Sequence, residues 1–575
     1  MACRPRLLCF PHHATLNASS GAGYSHLRKK ASTKLPRFTG SLGSAVGIGP
    51  KFVSTVLILI VAVIGAYESS NFLLANDWNS LGLIAIAIAG LAFAVRILNN
   101  WRQGLYIFFG WLFFEDFARK YLGNNMVVYF AKDILVILVY LSFFLARRDK
   151  KDKVSFRPPF YVPLVVFVWF AFAQVFNPGS PSIVYGLLGL KLYFLYIPLM
   201  YLGYALMDSE QDLRRFFLFN ACLLLVVGGL GIAQSIIGPT FLNPGTLQED
   251  IRELSTLYRM SPISGQIAYR PTSVFVSTGR FQNLIITSWV IVLGFGGYLI
   301  LRSRKGRTVA FATVGVLAAA AVMSTSRGVV MWCGGGSLVV LAAFVWGAPW
   351  RQGEASRVVR SIQRIILLGG LGIILLGAAF PAELNSRLAI YEETLSPYST
   401  ASELAFRTRD YPLRNFLQAF DTPHWAYGYG TGTASLGMQY VARIFHAPGT
   451  GVGTENGYGQ LVIELGVVGL VLWIVLGASI SVSAWKVVKH LRGSPWFPIA
   501  FVIFWLAFLV FFPMGYNSIS FYQDFLVNAY FWLLIGILYR LPSIALSAQF
   551  AAEPNPSSRM RRTSALPLSP AAPPR

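Results

Sequence analysis

The run Leu461-Val-Ile-Glu464-Leu-Gly-Val-Val-Gly-Leu470, apolar onward to about residue 483, decides the class of this protein. It holds one charge, and at 1.5 Å per residue a helix over 458–483 exceeds the roughly 30 Å of a bilayer's hydrocarbon core. Immediately upstream lies its polar opposite, His446-Ala-Pro-Gly-Thr-Gly-Val-Gly-Thr-Glu455-Asn456-Gly-Tyr-Gly-Gln460. This closes the longest polar segment between two apolar runs, which begins near Pro381.

Working outward, runs of similar length recur at roughly 52–67, 79–97, 104–118, 126–146, 159–176, 182–205, 216–236, 281–301, 308–324, 328–349, 363–380, 496–514 and 522–540. Composition agrees, since 55% of residues are hydrophobic and 13% charged, with a mean hydropathy of +0.56. Soluble chains carry about 25% charged residues. Only helices and closed barrels satisfy their backbone in hydrocarbon, and runs of this length read as helices. The sequence therefore predicts an all-α polytopic membrane protein of about 12–14 transmembrane helices with one large extracytoplasmic loop.

The net charge of +24 does not imply nucleic-acid binding. Lys and Arg concentrate in short loops and tails, at 96–102, 147–157, 208–215, 302–307, 351–364 and 486–492. With the basic N-terminal tail in the cytoplasm, all these loops fall on the same side, as the positive-inside rule requires. Both termini are then cytoplasmic. The expected organisation is a basic disordered tail over 1–50, an N-terminal bundle over 51–380, a large loop over 381–457, C-terminal helices over 458–541 and a disordered tail over 542–575. The N-terminal tail also has the acid-poor composition of a transit peptide, or of translation from a start codon placed too far upstream. Cys3 and Cys9 lie in that tail and Cys222 and Cys333 in apolar runs, so neither a disulfide framework nor a metal spacing emerges.

Arginines that break the orientation bias carry the functional reading. Arg119 and Lys120, then Arg252, Arg259, Arg270 and Arg280, then Arg327, then Arg387, Arg407, Arg409, Arg414 and Arg443 all fall on the face that should be poor in cations. A bound anion is one reason, and pairing with Glu249, Asp250, Glu253, Glu392 or Glu393 is the other. Ser324-Thr-Ser-Arg327-Gly328 places a guanidinium among small residues at a junction of two runs, where an intramembrane charge must be paired, hydrated or ligand-bound. Arg270-Pro-Thr-Ser-Val-Phe-Val-Ser-Thr-Gly-Arg280 offers two more at the same level, and a guanidinium fork suits phosphate oxygens. Inside the loop, Leu413, Phe416, Leu417 and Phe420 recur with helical spacing, giving an amphipathic helix over 404–420. The glycine-rich Ala426–Gly437 segment turns tightly and lacks the Gly-Lys-Ser/Thr of a nucleotide loop. Glu455 and His446 are candidate general bases beside Asn456, although Glu455 also suits a helix N-terminus. Glu115, Lys132, Asp133 and Lys191 lie in or near runs, where pairing such as Glu115 with Lys132 explains them; Lys132 and Asp133 equally suit a hydrated cavity.

Ser326-Arg327-Gly328 at a span junction, Arg270 followed by Arg280, the Gly428-Tyr-Gly-Thr-Gly turn and Asn456-Gly-Tyr followed by Leu461–Leu470 together resemble the O-antigen ligase and O-antigen or exopolysaccharide polymerase superfamily of bacterial envelopes. The resemblance covers about 265–475. It implies a multi-pass protein of the bacterial inner membrane acting on a polyprenyl-pyrophosphate-linked glycan, with membrane lipids around it and a flippase and a chain-length regulator as further partners. Arg270, Arg280 and Arg327 would hold the pyrophosphate, while Glu455, Asn456 and His446 would activate the acceptor hydroxyl. No cofactor or metal is implied, and no nucleic acid. The family places a His directly before the Asn where this chain has Glu455, which shifts the expectation from ligase toward polymerase. The alternatives are a ligase acting on lipid A or protein, and a transporter or flippase of lipid-linked glycans.

Overall fold

The computed structural model describes residues 78–123, 125–148, 156–244, 257–261, 264–302, 305–349, 380–395, 406–438, 445–448 and 451–552, with single positions between 360 and 379 and at 442. The expected tail over 1–50, the run at 52–67, most of that at 363–380, and the basic residues Arg252 and Arg443 lie outside the described residues. So do Glu249, Asp250, Glu253 and the C-terminal tail beyond 552.

Apolar length dictates the architecture. The described chain begins with α1 (Trp78–Asn99), α2 (Trp101–Tyr121) and α3 (Met126–Arg148), followed by α4 (Tyr161–Ala173), α5 (Ile183–Phe194) and α6 (Leu199–Leu206). After α7 (Glu210–Ile237), the small antiparallel pair β1 (Tyr258–Met260) and β2 (Ile267–Tyr269) aligns Tyr258 with Tyr269 and Met260 with Ile267. Then come α8 (Thr278–Arg302), α9 (Arg307–Met323), α10 (Arg327–Gly347), α11 (Pro381–Leu395) and α12 (Tyr411–Gln418). The chain closes with α13 (Gly457–His490), α14 (Phe497–Phe511), the short α15 (Pro513–Asn517) and α16 (Ser520–Gln523), and α17 (Phe525–Ala552).

Eight segments among the described residues are long and apolar enough to cross a membrane: Met126–Ala146, Ile183–Leu206, Glu210–Ile237, Thr278–Arg302, Arg327–Gly347, Gly457–His490, Phe497–Asn517 and Phe525–Ser547. Ile88–Asn99, Tyr161–Phe176 and Arg307–Met323 are shorter apolar helices. The protein is an all-α polytopic membrane protein. α2 forms where a run was expected, but Glu115, Asp116, Arg119 and Lys120 crowd its last turns.

α8, α14 and α17 supply much of the core. α8 lies against α9, α10 and α14, and α17 packs on α6 and α14. Trp473 of α13 is fully buried against Phe511 at 4.6 Å and Tyr522 at 4.9 Å between ring centroids. Apolar side chains elsewhere point outward, among them Trp169, Leu338 and Val127, as a lipid-facing surface requires.

The loop helix forms in pieces. A π-helical turn at Phe406–Asp410 leads into α12 and then a 3₁₀ turn at Ala419–Asp421. Its apolar face is split. Phe416 and Phe420 pack inward on the bundle, whereas Leu413 and Leu417 remain exposed.

Candidate functional site

The segments that carry Arg270 and Arg327 are drawn together by side-chain bonds to backbone. Thr325 Oγ1 donates to the carbonyl of Tyr269 at 3.2 Å, which sets the Arg270 and Arg327 segments side by side. Arg387 of α11, fully buried, fastens both. Its guanidinium donates to the carbonyls of Met323 (3.3 Å), Tyr269 (3.4 Å), Ser235 (3.1 Å) and Glu383 (2.6 Å), and pairs with the Glu383 carboxylate at 2.6 Å. Arg387 thus belongs to the frame behind the two arginines. Thr325 itself sits at φ 56°, a left-handed conformation costly for a β-branched residue. Burial lowers the Arg270 guanidinium from its ordinary value, which for arginine lies far above physiological pH.

Arg280 has a different employment. Its Nη1 lies 2.7 and 2.6 Å from the two oxygens of the fully buried Asp116. It therefore belongs to an ionic cluster whose carboxylates are buried. In that cluster Arg119 approaches Asp116 at 3.5 Å, Lys132 approaches Glu115 at 3.5 Å, and Lys191 meets Asp133 at 2.6 Å. Lys132 and Lys191 also lie 3.4 and 4.3 Å from the ring centroid of Tyr129. Opposite charges packed this closely offset part of the cost of removing each from water. The pairing expected between Glu115 and Lys132 is present. Lys120 turns away from the cluster and donates to Ser273 and Thr272 at 2.8 and 3.0 Å.

Glu455 and Asn456 line a cavity of about 330 Å³ with Tyr411, Asn415, Thr454 and Ser518. Asn456 is buried and caps α13. Its Oδ1 accepts from the Gly459 amide at 2.9 Å, and its Nδ2 donates to the Pro412 carbonyl at 3.1 Å. Its role is to hold the helix start against α12. Glu455, one residue earlier, is exposed to the cavity and accepts from the Tyr411 hydroxyl at 2.6 Å. A carboxylate has further lone pairs beyond that bond, so Glu455 can take a proton from a hydroxyl brought into the cavity. His446 is not brought in. It stands exposed at φ 48° on a segment tied elsewhere, where the Tyr185 hydroxyl donates to the Pro448 carbonyl at 3.0 Å.

Beneath the cavity the glycine-rich turn is built into the bundle. α13 breaks at Gly466, with φ 69° and ψ −177°. The part beyond it, 467–490, is about 36 Å long at 1.5 Å per residue and long enough to cross a bilayer alone. The break strips carbonyls of their helical partners, and the turn replaces them. Tyr429 N donates to Ile463 O at 2.7 Å and Gly430 N to Glu464 O at 2.9 Å, while Val467 N donates to Trp425 O at 3.2 Å. A Cβ on Gly466 would stand 2.3 Å from the Ala426 carbonyl. One on Gly432, at φ 85°, would stand 1.9 Å from the Tyr185 carbonyl. Both positions exclude any side chain.

Glu464, fully buried, completes this assembly. Its carboxylate accepts from Ser435 Oγ (2.7 Å), Tyr193 OH (3.0 Å), Gly432 N (3.1 Å) and Ala434 N (3.2 Å). The sequence reading passed over it because a lone carboxylate in an apolar run carries no local sign of its partners. The signal that could have found it is the pairing of that charge with a glycine two residues on. Tyr411 was likewise missed, since a tyrosine on an amphipathic helix reads as an anchor.

Compared with known protein families and with characterised proteins, the chain matches none.

Proposed function

We propose that the protein transfers a glycan from a polyprenyl-pyrophosphate carrier to an acceptor hydroxyl at the extracytoplasmic face of a bacterial inner membrane, as an O-antigen or exopolysaccharide polymerase or ligase. The observation that carries the reading is Glu455, an exposed carboxylate held by Tyr411 in a cavity of hydroxyl and amide groups. Such a lining suits a sugar, whose hydroxyls need donors and acceptors at close spacing. The acceptor oxygen attacks the anomeric carbon, its proton passes to Glu455, and the bond from that carbon to the pyrophosphate oxygen breaks. The departing pyrophosphate carries the negative charge away, and Arg270 and Arg327 are the cations assigned to it. Electrostatic stabilisation of that kind supplies several kcal/mol. Asn456 and Glu464 hold the start and the break of the helix that presents Glu455. The order Arg270, Arg327, Gly428-Tyr-Gly-Thr-Gly and Asn456-Gly-Tyr along the chain also supports the assignment.

In a strain deleted for the gene, Arg327→Ala should fail to restore polymer while protein abundance holds, and Glu455→Gln should fail likewise. Polymer of normal length and amount from either variant refutes the reading. Single repeats left on the carrier in the deletion strain mark a polymerase, and full-length chains left on it mark a ligase. The buried ionic cluster around Asp116 and Lys132 favours one second reading, a transporter of the same lipid-linked glycan, because membrane-embedded charges accompany translocation paths. Reconstituted vesicles separate the two: transfer makes a new glycosidic bond, and transport only changes the leaflet.

A further inference from the structure

A second cavity lies apart from Glu455, between the end of α4 and the turn that docks on the α13 break. It encloses about 600 Å³ and is lined in part by Gln174, Phe176, Asn177, Gly179, His424 and Tyr427. Its volume is in the range of small-molecule sites, roughly 300–1,000 Å³.

Two features of its wall define what it takes. The first is neutrality. Among the described residues that line it there is no Asp, Glu, Lys or Arg, so a phosphate or carboxylate entering it would lose water without gaining a counter-charge from them. The second is the combination of fixed polar groups with aromatic faces. Gln174 Nε2 donates to the Tyr427 carbonyl at 3.1 Å, and Asn177 Nδ2 donates to Gln174 Oε1 at 2.6 Å and to the Gly428 carbonyl at 3.1 Å. These bonds lock the Tyr427 backbone to α4. The His424 Nδ1 bonds the Tyr427 hydroxyl, and its ring stands edge-on to Tyr429 at 4.6 Å. The imidazole is thereby held, with Nε2 as its remaining hydrogen-bonding atom. Tyr427 is 53% exposed and Phe176 62% exposed, so each presents a broad aromatic surface at the rim.

A wall with apolar faces, amides and an imidazole, and no charge, matches a ligand that alternates C–H faces with neutral hydroxyls. We propose that this cleft binds an uncharged saccharide segment, a second glycan subsite separate from the Glu455 cavity. The proposal rests on the glycan-transfer reading above. It adds that part of the glycan is gripped away from the reacting sugar, on the same turn that braces the helix that follows Glu455. Binding energy gathered at such a remote subsite can be used at the reacting centre.

The test uses the full-length protein in lipid nanodiscs and a printed array of neutral and acidic bacterial oligosaccharides. Neutral oligosaccharides should be retained and acidic ones not. Tyr427→Ala and His424→Ala should each weaken the best neutral ligand by about tenfold, the loss of one or two contacts, and Tyr427→Phe should fall between. Unchanged circular dichroism and melting keep a loss of binding from being a loss of fold. Retention of acidic ligands alone, no retention at all, or neutral binding indifferent to Tyr427 and His424 overturns the proposal. Crosslinking of an acyl-chain probe in the cleft, in competition with the saccharide, overturns it as well. The two readings fail separately. Array binding lost in Tyr427→Ala, with polymer formation indifferent to Arg327, removes the transfer reaction and keeps the cleft. The reverse pattern removes the cleft alone.

Discussion

Removing the Glu464 carboxylate should loosen the site without touching the Glu455 cavity. Four donors converge on it, two of them the backbone amides Gly432 N and Ala434 N. A buried donor left without a partner costs roughly 1–3 kcal/mol. Glu464→Ala strands both amides, so the loss is about 2–6 kcal/mol. Glu464→Gln keeps one acceptor oxygen for Ser435 and Ala434 but turns an NH₂ toward the Gly432 amide, and about 1–3 kcal/mol follows from that single clash of donors. Tyr193 can reverse its hydroxyl and adapt. The order is therefore wild type, then Gln, then Ala. Unfolding of the purified protein by sodium dodecyl sulfate in mixed micelles, followed by tryptophan fluorescence, measures it directly, because Trp473 is buried on the same helix. An Ala variant within about 0.5 kcal/mol of wild type would falsify the claim that Glu464 holds the turn, since surface substitutions lie in that range.

Gly432→Ala should prevent the turn from seating, because its methyl would stand 1.9 Å from the Tyr185 carbonyl. Enhanced protease cleavage near residues 424–438 reads this out, and a wild-type digestion pattern contradicts it. Asp116→Asn takes from Arg280 its hydrogen-bonded counter-charge and leaves Asp524 and Glu115 as the carboxylates facing it, a change that costs up to about 3 kcal/mol; the double variant Asp116→Asn with Arg280→Met should recover much of it. Recovery absent from the double variant shows that the pair is not coupled. Asn456→Ala removes a helix cap and should cost about 0.5–2 kcal/mol, with polymer formation falling further than stability if the cap also aims Glu455. Equal, small effects on both would confine Asn456 to capping.

The membrane architecture was legible because a bilayer imposes one length on every run, and residues 126–146 or 281–301 state it without reference to any neighbour. Helices shortened or charged at their ends, such as α9 and α2, blur that signal. Glu455 and Asn456 were legible as a pair at the mouth of a helix, and they share a cavity. The pairing of Arg280 was not legible, because its partner Asp116 is 164 positions away in the chain. His446 carried chemistry in its side chain but no information about where Tyr185 would tether its segment. The glycines of the 428–432 turn announced left-handed backbone, yet their docking partner is the break at Gly466, which a continuous apolar run conceals. Local composition speaks for length and polarity; contacts between distant segments are set by packing that no window of sequence contains.

The break at Gly466 also bears on how the protein is made. The ribosome delivers residues 425–432 before residues 463–467, so the amides of the turn are made ahead of the carbonyls that will accept them. Until 463–467 is made, the turn has its bonds to the earlier Gln174 and Asn177 but lacks those to the break. The cavity around Glu455 waits longer still, because Asn517, Ser518 and Ser520 of its wall are made after the break. Slowing translation between codons 435 and 465 should lengthen the interval in which that region is open to quality-control proteases.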